Sequence, residues 1–494
     1  MLSGRARAAG PSRALLGALA LAACVATPTP ALATPFMPDP VGPRAIGRAG
    51  AVTASADDPW TLAVTPAGLV HDRGGDGLEL GASLGLHATR LSYGRVGVDP
   101  QLRFPLAESR TGVTSLPSFG VRLGLLGGRL AFGAARFIAS REELGYPRSP
   151  ATTPRAIDDP QRYLVRALTS ERTVWALGVA ARPLSWFGLG ASFSISQLSF
   201  DFSRDGWVGG TGDLARSEDP RLDLPTQVSL ADDVVPALAL GIKLRPPHSR
   251  LGLALALELP WDASLSGRAT IGATRGAPAG LRSVHAEGLG EVRLARALPI
   301  VARSGVRLAG ARADLELDAE LCHLPSTGSW SARATDLRLV GVDFAAQSSV
   351  TELASVPLAL ATRTRYRIAL GSDLVLVPGF MIVRLGWALT SASAPAALRT
   401  AASAQGQTQA LAVGLAVHSA GLRLEVGWQH TLVTRTATRA SAWRHWNPLA
   451  QDNSEDVGSG DYSSAEDLVG VGLSIDVGAA RRAFAPPPEP PLED

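Results

Sequence analysis

Large apolar side chains recur at every second position along much of this chain. In Leu251-Gly-Leu253-Ala-Leu255-Ala-Leu257-Glu-Leu259-Pro-Trp261 the alternation runs unbroken through five leucines. A period of two is that of a β-strand, whose successive side chains point to opposite faces. One face of this segment is leucine throughout; the other carries Gly, Ala and Glu258. Fourteen such strands are predicted, at 77–95, 113–126, 129–139, 164–183, 186–202, 233–245, 250–261, 291–308, 312–324, 356–370, 373–389, 406–418, 421–436 and 466–478. Their connections alternate as regularly as their side chains. Gly127-Gly128, Leu184-Ser185 and Ser419-Ala420-Gly421 read as hairpin turns, whereas 140–163, 203–232, 325–355 and 437–465 are long and rich in Pro, Ser, Asp and Arg.

Short turns on one rim and long loops on the other describe an up-and-down barrel, and an even strand number brings both chain ends to the short-turn, periplasmic rim. A soluble sandwich would bury the leucine face, but a transmembrane barrel turns it to lipid and keeps the Gly, Ala and polar face in a wet lumen. A strand of about eleven residues rises roughly 36 Å and, tilted by about 45°, spans roughly the 25 Å of an outer-membrane apolar band. No segment beyond the N-terminus has eighteen continuous apolar residues, so a membrane would have to be crossed by a closed sheet. The expected fold is all-β: a transmembrane antiparallel barrel over 77–478. Trp175, Trp186, Trp261, Trp387 and Trp428 lie on or near strand ends, where an interfacial girdle would place them.

The first 33 residues read as an export signal: Arg5, Arg7 and Arg13, an apolar run Ala14–Ala26, then Ala31-Leu32-Ala33 as a small-x-small cleavage site. Leu21-Ala22-Ala23-Cys24 also fits a lipoprotein cleavage box. The three leader arginines account for the whole formal excess of +3, which leaves no basic surplus for nucleic acid. With Cys24 removed, Cys322 stands alone and no disulfide framework is possible. Residues 34–76 lack the strand rhythm, and Asp58 followed by Pro59 suggests a helix start. Beyond 478 a Pro-rich tail, Ala485–Asp494, is expected to be extended on the periplasmic side.

Strand phase sorts the lumenal side chains. Leu315, Leu317, Ala319 and Leu321 face outward, so Asp314, Glu316, Asp318 and Glu320 form an acidic stripe facing inward. The neighbouring strands put Leu358, Leu360, Tyr366 and Ile368 outward, which turns Arg363, Arg365, Arg367 and, on the other side, Arg303 and Arg307 inward. Cross-strand ion pairs of about 0.2–1 kcal/mol each follow, and an arginine at the ladder's edge could hold a ligand carboxylate. Catalytic motifs dissolve on inspection. Gly81-Ala82-Ser83-Leu84-Gly85 matches G-x-S-x-G but lies in mid-strand, not on a strand-to-helix elbow. His87, His323, His418 and His430 lack the spacing of a metal site. No cofactor, metal or enzymatic activity is expected.

Gly47-Arg48-Ala49-Gly50-Ala51-Val52-Thr53-Ala54-Ser55-Ala56-Asp57-Asp58-Pro59-Trp60, followed by Thr65-Pro66-Ala67-Gly68-Leu69, resembles the N-terminal hatch of the FadL family of outer-membrane transporters for hydrophobic compounds. Thr65 stands where that family carries asparagine. Leu298-Pro-Ile-Val-Ala-Arg-Ser-Gly305 and Ile382-Val-Arg-Leu-Gly-Trp387, leading into Ala394-Pro395, are similar in a looser way. The resemblance implies a fourteen-stranded barrel with residues 34–76 as a lumenal hatch, in which Asp57, Asp58, Pro59, Trp60, Thr65, Pro66, Ala67 and Gly68 take part. It further implies passive uptake of long-chain fatty acids or similar molecules, by capture at the cell surface, hatch movement and sideways exit at a kink in the third strand. Gly133 is the candidate for that kink. The absence of a barrel-closing aromatic at Val477 is a second departure from the family, and Phe484 is a candidate to substitute for it. The implied setting is the outer membrane of a Gram-negative-type bacterium; the implied partners are a hydrophobic ligand, outer-membrane lipid and the barrel-assembly machinery, with the barrel monomeric. Two rivals stand: a barrel of the same kind serving as a scaffold or secretion partner without transport, and an outer-membrane lipase, which would need a serine or aspartate with histidine at the long-loop rim.

Overall fold

The computed structural model describes residues 35–70, 76–97, 103–110, 112–149, 158–208, 219–274, 283–325, 328–342, 348–392, 394–402, 406–433, 435–449 and 456–483. The leader, Cys24, Phe484 and the Pro-rich tail fall outside them. Fourteen strands make the ring: β1 Gly77–Val96, β2 Gly112–Leu125, β3 Leu130–Gly145, β4 Ala167–Leu184, β5 Phe187–Trp207, β6 Asp223–Leu244, β7 Leu251–Pro260, β8 Ile300–Ala309, β9 Asp314–His323, β10 Arg365–Val377, β11 Met381–Thr390, β12 Thr408–Ser419, β13 Leu422–Val433 and β14 Gly460–Asp476. Each pairs antiparallel with the next. β14 returns to β1 from Glu79↔Asp476 to Arg95↔Gly460, which closes the sheet.

The ring has its apolar face outside. In β7, Leu255 is 57% exposed while Ala256 on the opposite face is 9% exposed. Leu84, Phe119, Leu177, Leu411 and Leu473 repeat the pattern on other strands. Such a surface could not remain in water and is what lipid contact requires. Trp186 and Phe380 are exposed at short turns, and Trp261 at the far end of β7; Trp175 and Trp428 are exposed along β4 and β13, while Trp387 is partly buried. The turn chemistry is that expected of tight hairpins: Gly127 and Gly128 both have positive φ, as do Ala420 and Gly421.

Three expectations need correction. The expected strand 291–308 is two strands, because Pro299 has no N–H to continue a ladder; Glu291–Ala297 pairs instead with Asp262–Ile271 and Gly328–Thr335. The expected strand 356–370 also divides. Ser355–Thr362 pairs with Gly328–Thr335, so Leu358 and Leu360 are buried rather than turned outward, and β10 begins only at Arg365. β10 then runs through Gly371 and Ser372, where a turn was expected, and reverses at Pro378-Gly379-Phe380. Gly371 is needed for another reason: a Cβ there would lie 2.9 Å from the Ala51 methyl and 3.0 Å from Arg48 Nε.

Strands also form where long loops were expected. Residues 262–271, 291–297, 328–335 and 355–362 continue the sheet above β6, and Ser283–Glu287, Arg338–Val342 and Ser348–Glu352 form a separate three-stranded sheet. Beneath them is a core holding Phe200, Phe202, Trp330, Tyr163 and Tyr462, into which Phe36 inserts, 6.4 Å from Trp330 and 6.5 Å from Phe200 between ring centres. The N-terminal segment holds helix α1, Pro43–Gly47, and two 3₁₀ turns, Thr61–Ala63 and Pro66–Leu69. The helix start expected at Asp58 shrinks to a side-chain cap, with Asp58 accepting the Trp60 N–H at 3.0 Å before a single 3₁₀ turn. Past β14 the chain forms helix α2, Val477–Ala483; Asp476 accepts the Ala479 N–H at 2.9 Å as its cap.

Leu255→Arg, on the outer face of β7, is expected to lower stability by about 2–4 kcal/mol if it lies near the bilayer midplane. Urea titration of protein refolded into lipid vesicles measures this; an unchanged midpoint would place the leucine face away from lipid.

Candidate functional site

Residues 35–70 are packed against inward-facing positions of strands from around the ring, and glycine is what admits them. A Cβ on Gly120 would lie 2.3 Å from Pro59 O, on Gly190 2.5 Å from the Pro66 carbonyl carbon, on Gly386 2.3 Å from that of Arg48, and on Gly427 2.2 Å from Pro43 O. No other residue fits where backbone meets backbone so closely. Gly133 belongs to this set. It sits in unbroken pairing with Arg122 on one side and Gly178 on the other, and a Cβ there would lie 2.5 Å from Leu69 Cδ2. Gly133 is therefore a contact position rather than a kink.

The expected hatch residues are distributed along this packed segment. Asp57 pairs with Arg44, Pro59 rests on Gly81 and Gly120, and Trp60 is buried against Gly42. Thr65, Pro66 and Ala67 lie over Gly190 and Gly241, and the Thr65 carbonyl accepts the Thr61 hydroxyl at 3.1 Å. Gly68 is jammed against Thr61 and the Ala56 carbonyl. Lys243 donates to that same carbonyl at 2.8 Å, and Arg122 to Leu69 O at 2.5 Å.

The acidic stripe of β9 has two sets of partners. Glu320 receives Arg303 at 2.9 Å, with Arg365 at 3.7 Å, and Asp314 receives Arg307 at 2.5 Å. The middle of the stripe is held differently. Arg48 of the N-terminal segment, fully buried, reaches Asp314 at 2.9 Å, Glu316 at 3.0 Å and Asp373 of β10 at 2.6 Å. Glu316 also accepts the backbone N–H groups of Ala54 and Ser55, and one oxygen of Asp318 accepts those of Val52 and Thr53 at 2.8 Å each. Directly opposite Asp318 on the two flanking strands stand Gly305 and Ala369, small enough to let that backbone approach. Arg367 donates to Ala49 O at 2.5 Å. Arg363 lies in the break before β10. Burial alone would lower the Arg48 pKa; Asp373, Glu316 and Asp314 outweigh it and hold the guanidinium above its ordinary value.

Sequence reasoning missed Arg48 as the partner of the stripe. The signal was present: one arginine among glycines and alanines, in a segment assigned to the lumen, opposite four carboxylates. Arg384, which pairs with Glu425 at 2.6 Å, and Arg172, which pairs with Glu258 at 2.7 Å, extend the network to other strands.

A second feature is a seam between β2 and β3. Their pairing stops at Phe119↔Arg136, although β2 continues alongside β1 to Gly112 and β3 alongside β4 to Gly145. Val113–Ser118 thus faces Phe137–Leu144 without ladder bonds. The gap is closed above by a bridge from Arg110 N–H to Gly145 O, 2.7 Å, and below by Arg136 donating to Pro117 O at 3.1 Å. β3 bulges here between Ile138 and Ser140, and Phe137, Ile138, Ala139 and Ser140 are all buried, so the alternation fails. The carbonyl of the bulged residue Ala139 is taken by the Asp39 N–H at 2.8 Å. The N-terminal segment stands where the missing strand partner would be. Pro117 carried the sequence signal, since proline inside a strand marks an unpaired edge. Beside the seam, a cavity between Met37–Pro40 and the lumen wall is lined by polar and apolar groups in nearly equal measure.

Arg48→Ala would leave Asp314, Glu316 and Asp373 without their shared cation, at a cost of about 3–5 kcal/mol. The heat resistance of the folded band on a gel is expected to fall, and Arg48→Lys to restore little of it, because one ammonium cannot span three carboxylates; an unchanged transition would mean that the stripe does not hold the segment.

No protein-family model matches this sequence, and no curated protein matches it. Solved structures do. A FadL homologue of Pseudomonas aeruginosa is similar over 90% of this chain and 100% of its own, at 15% identity and a TM-score of 0.68. The toluene transporter TodX of Pseudomonas putida is similar over 88% of this chain and 98% of its own, at 13% identity and a TM-score of 0.59. The toluene transporter TbuX of Ralstonia pickettii gives 88%, 98%, 14% and 0.55. With a closed fourteen-stranded ring, an apolar outer face and these neighbours, the chain has the fold of the FadL family.

Proposed function

We propose that this protein is an outer-membrane transporter taking up hydrophobic small molecules, with residues 35–70 as its hatch and the β2–β3 seam as its exit. The observation that carries this reading is the seam itself, at whose edge the Asp39 N–H of the N-terminal segment takes the Ala139 carbonyl. An apolar molecule gains about 0.8 kcal/mol per methylene buried, so a water-filled pore is a poor route for it. A gap in the wall lets it pass from the lumen to lipid without crossing water. The long-loop rim faces outward, the short turns and both chain ends face the periplasm, and the barrel works as a monomer. Capture occurs among the long-loop strands and their aromatic core. Withdrawal of Asp39 from Ala139 then opens the seam. The neighbours described as toluene transporters support the class of ligand.

The scaffold reading draws on the ion-paired filling between Arg48 and β8–β10. The lipase reading has nothing comparable in its favour.

Deleting Ala139 would remove the bulge and let β3 pair with β2 along its length. Uptake of a radiolabelled hydrophobic substrate into cells is expected to fall about tenfold or more, a barrier increase of about 1.4 kcal/mol or more, with the heat-resistant barrel band retained. Unchanged uptake would exclude the seam as the exit, and no uptake by the wild type would favour the scaffold. Replacing Pro66 and Ala67 together with glutamine, which cannot sit against Gly190, is expected to change the uptake rate without loss of the barrel; equal rates would argue against a moving hatch.

A further inference from the structure

Above Trp261 the outer wall of the barrel changes character. The line of β7 is resumed by Asp262–Ile271, which meets β6 in the register that β7 left: Ala237↔Pro260 below, Ala231↔Ser266 and Ser229↔Arg268 above. The alternation changes phase between the two. Leu255, Leu257 and Leu259 are exposed below, whereas above it is Ser264, Ser266 and Arg268 that are exposed, with Leu265 and Ala269 buried in the aromatic core. Contact with acyl chains therefore ends near Trp261, and the same wall goes on as a polar surface.

Three arginines stand together on that surface. Arg293 of Glu291–Ala297 is directly opposite Arg333 of Gly328–Thr335, and Glu291 is directly opposite Arg268. All four are exposed, because Val292, Leu294, Trp330 and Ala332 take the inward positions. Among the described residues, none of the four side chains makes an ion pair or a hydrogen bond. Arg303 and Arg307 face acids across β8 and β9, but Arg293 faces a like charge, which repels it. Acids nearby on this wall are otherwise engaged or set apart. Asp201 accepts the Ser229 hydroxyl at 2.5 Å, Asp232 the N–H groups of Ser264 and Val234 at 2.7 and 3.2 Å, and Asp336 the Leu289 N–H at 3.2 Å. Asp262 lies at the level of Trp261, and Asp233 is on β6, with the strand Asp262–Ile271 between it and Arg293. Three guanidinium groups against one carboxylate make a face that attracts anions.

We propose that Arg268, Arg293 and Arg333 bind the phosphate groups of an outer-leaflet glycolipid and hold its sugars against the wall above β6 and β7. Arg293, opposite Ser266, and Arg268 lie five and seven positions beyond Trp261, about 12–16 Å higher along the membrane normal at roughly 3.3 Å per residue and about 45° of tilt. That is where phosphorylated sugars stand when the acyl chains of the same lipid meet the leucines below. Guanidinium takes phosphate through paired N–H donors, and a phosphate between Arg293 and Arg333 removes the repulsion between them. The inference rests on the outward orientation of the long-loop rim given with the uptake reading, and it is independent of what is transported.

The test titrates the full-length mature protein, in a neutral maltoside detergent, with bisphosphorylated lipid A and with its dephosphorylated form. A chelator is present, so that no divalent cation can bridge phosphate to Glu291 or Asp262. The wild type is expected to bind the phosphorylated form at least about tenfold more tightly, and Arg268→Gln, Arg293→Gln and Arg333→Gln together to lose that preference; the heat-resistant band shows that the variant has folded. The wild-type preference should also weaken as salt rises from about 0.05 to about 0.5 M. Equal binding of the two forms, a preference indifferent to salt, or a glutamine variant that keeps it overturns the assignment. So does a wild-type oligomer that the glutamine variant dissociates, because the patch then meets a second copy. Orientation is read separately. Leu289→Cys, 66% exposed at a turn of the same rim, is treated in intact cells with a polymer-linked maleimide too large to enter the periplasm; Cys322 is buried. Labelling is expected. Labelling only after lysis overturns the outward rim and the glycolipid site together, whereas labelling without a phosphate preference overturns the site and leaves the uptake reading standing.

Discussion

A charge taken out of water must find a partner, and in this barrel that rule decides where the N-terminus goes. Four carboxylates in alternate positions of β9 cannot all be satisfied by the strands beside it, because Gly305 and Ala369 stand opposite Asp318. What fills the deficit is Arg48 and a run of backbone N–H groups from Val52 to Ser55. The stripe is less a ladder between strands than a receptor for a segment some 260 residues distant in sequence. Its strength comes from concentration: one guanidinium answers three carboxylates, which no set of exposed pairs of about 0.2–1 kcal/mol could match.

Close approach by backbone demands the second constraint, inward glycine. Gly120, Gly190, Gly386 and Gly427 lie on different strands, yet each stands where the N-terminal backbone comes nearest. The glycines and the charges have separate roles. Glycine makes the space, and Arg48, Arg122, Arg367 and Lys243 hold the carbonyls and carboxylates that enter it. The segment is also held by apolar contacts: Phe36 enters the aromatic core, and Leu62, Leu69 and Val70 pack with alanines and Phe137 of the wall.

Period-two alternation, the hairpin turns and the outward leucines were legible because each is a local consequence of one strand meeting lipid. Most strand ends follow from them within a few residues. The misread places are those where a residue serves something distant. Gly371 reads as a turn because glycine usually marks one, but it is there for Ala51 and Arg48. Gly133 reads as a kink and is a seat for Leu69. Leu358 and Leu360 alternate like lipid-facing residues and are buried, because alternation does not say which apolar surface covers a face. The pairing of Arg48 with β9 could not be read from spacing, because the arginines of the flanking strands already outnumber the four acids.

The seam shows how far a closed ring can be relaxed. A barrel removes every free strand edge, and unpaired backbone in lipid costs several kcal/mol per group. Leaving Val113–Ser118 unpaired with β3 is therefore expensive unless something else meets those edges. Arg136 on Pro117 O, Asp39 on Ala139 O and the Arg110 bridge to Gly145 meet part of that demand, and Pro117 lowers it by having no N–H to satisfy. Of these groups only Asp39 belongs to the N-terminal segment; the others are fixed in the wall. An opening confined to one place needs one removable partner, and the geometry supplies one at the bulge.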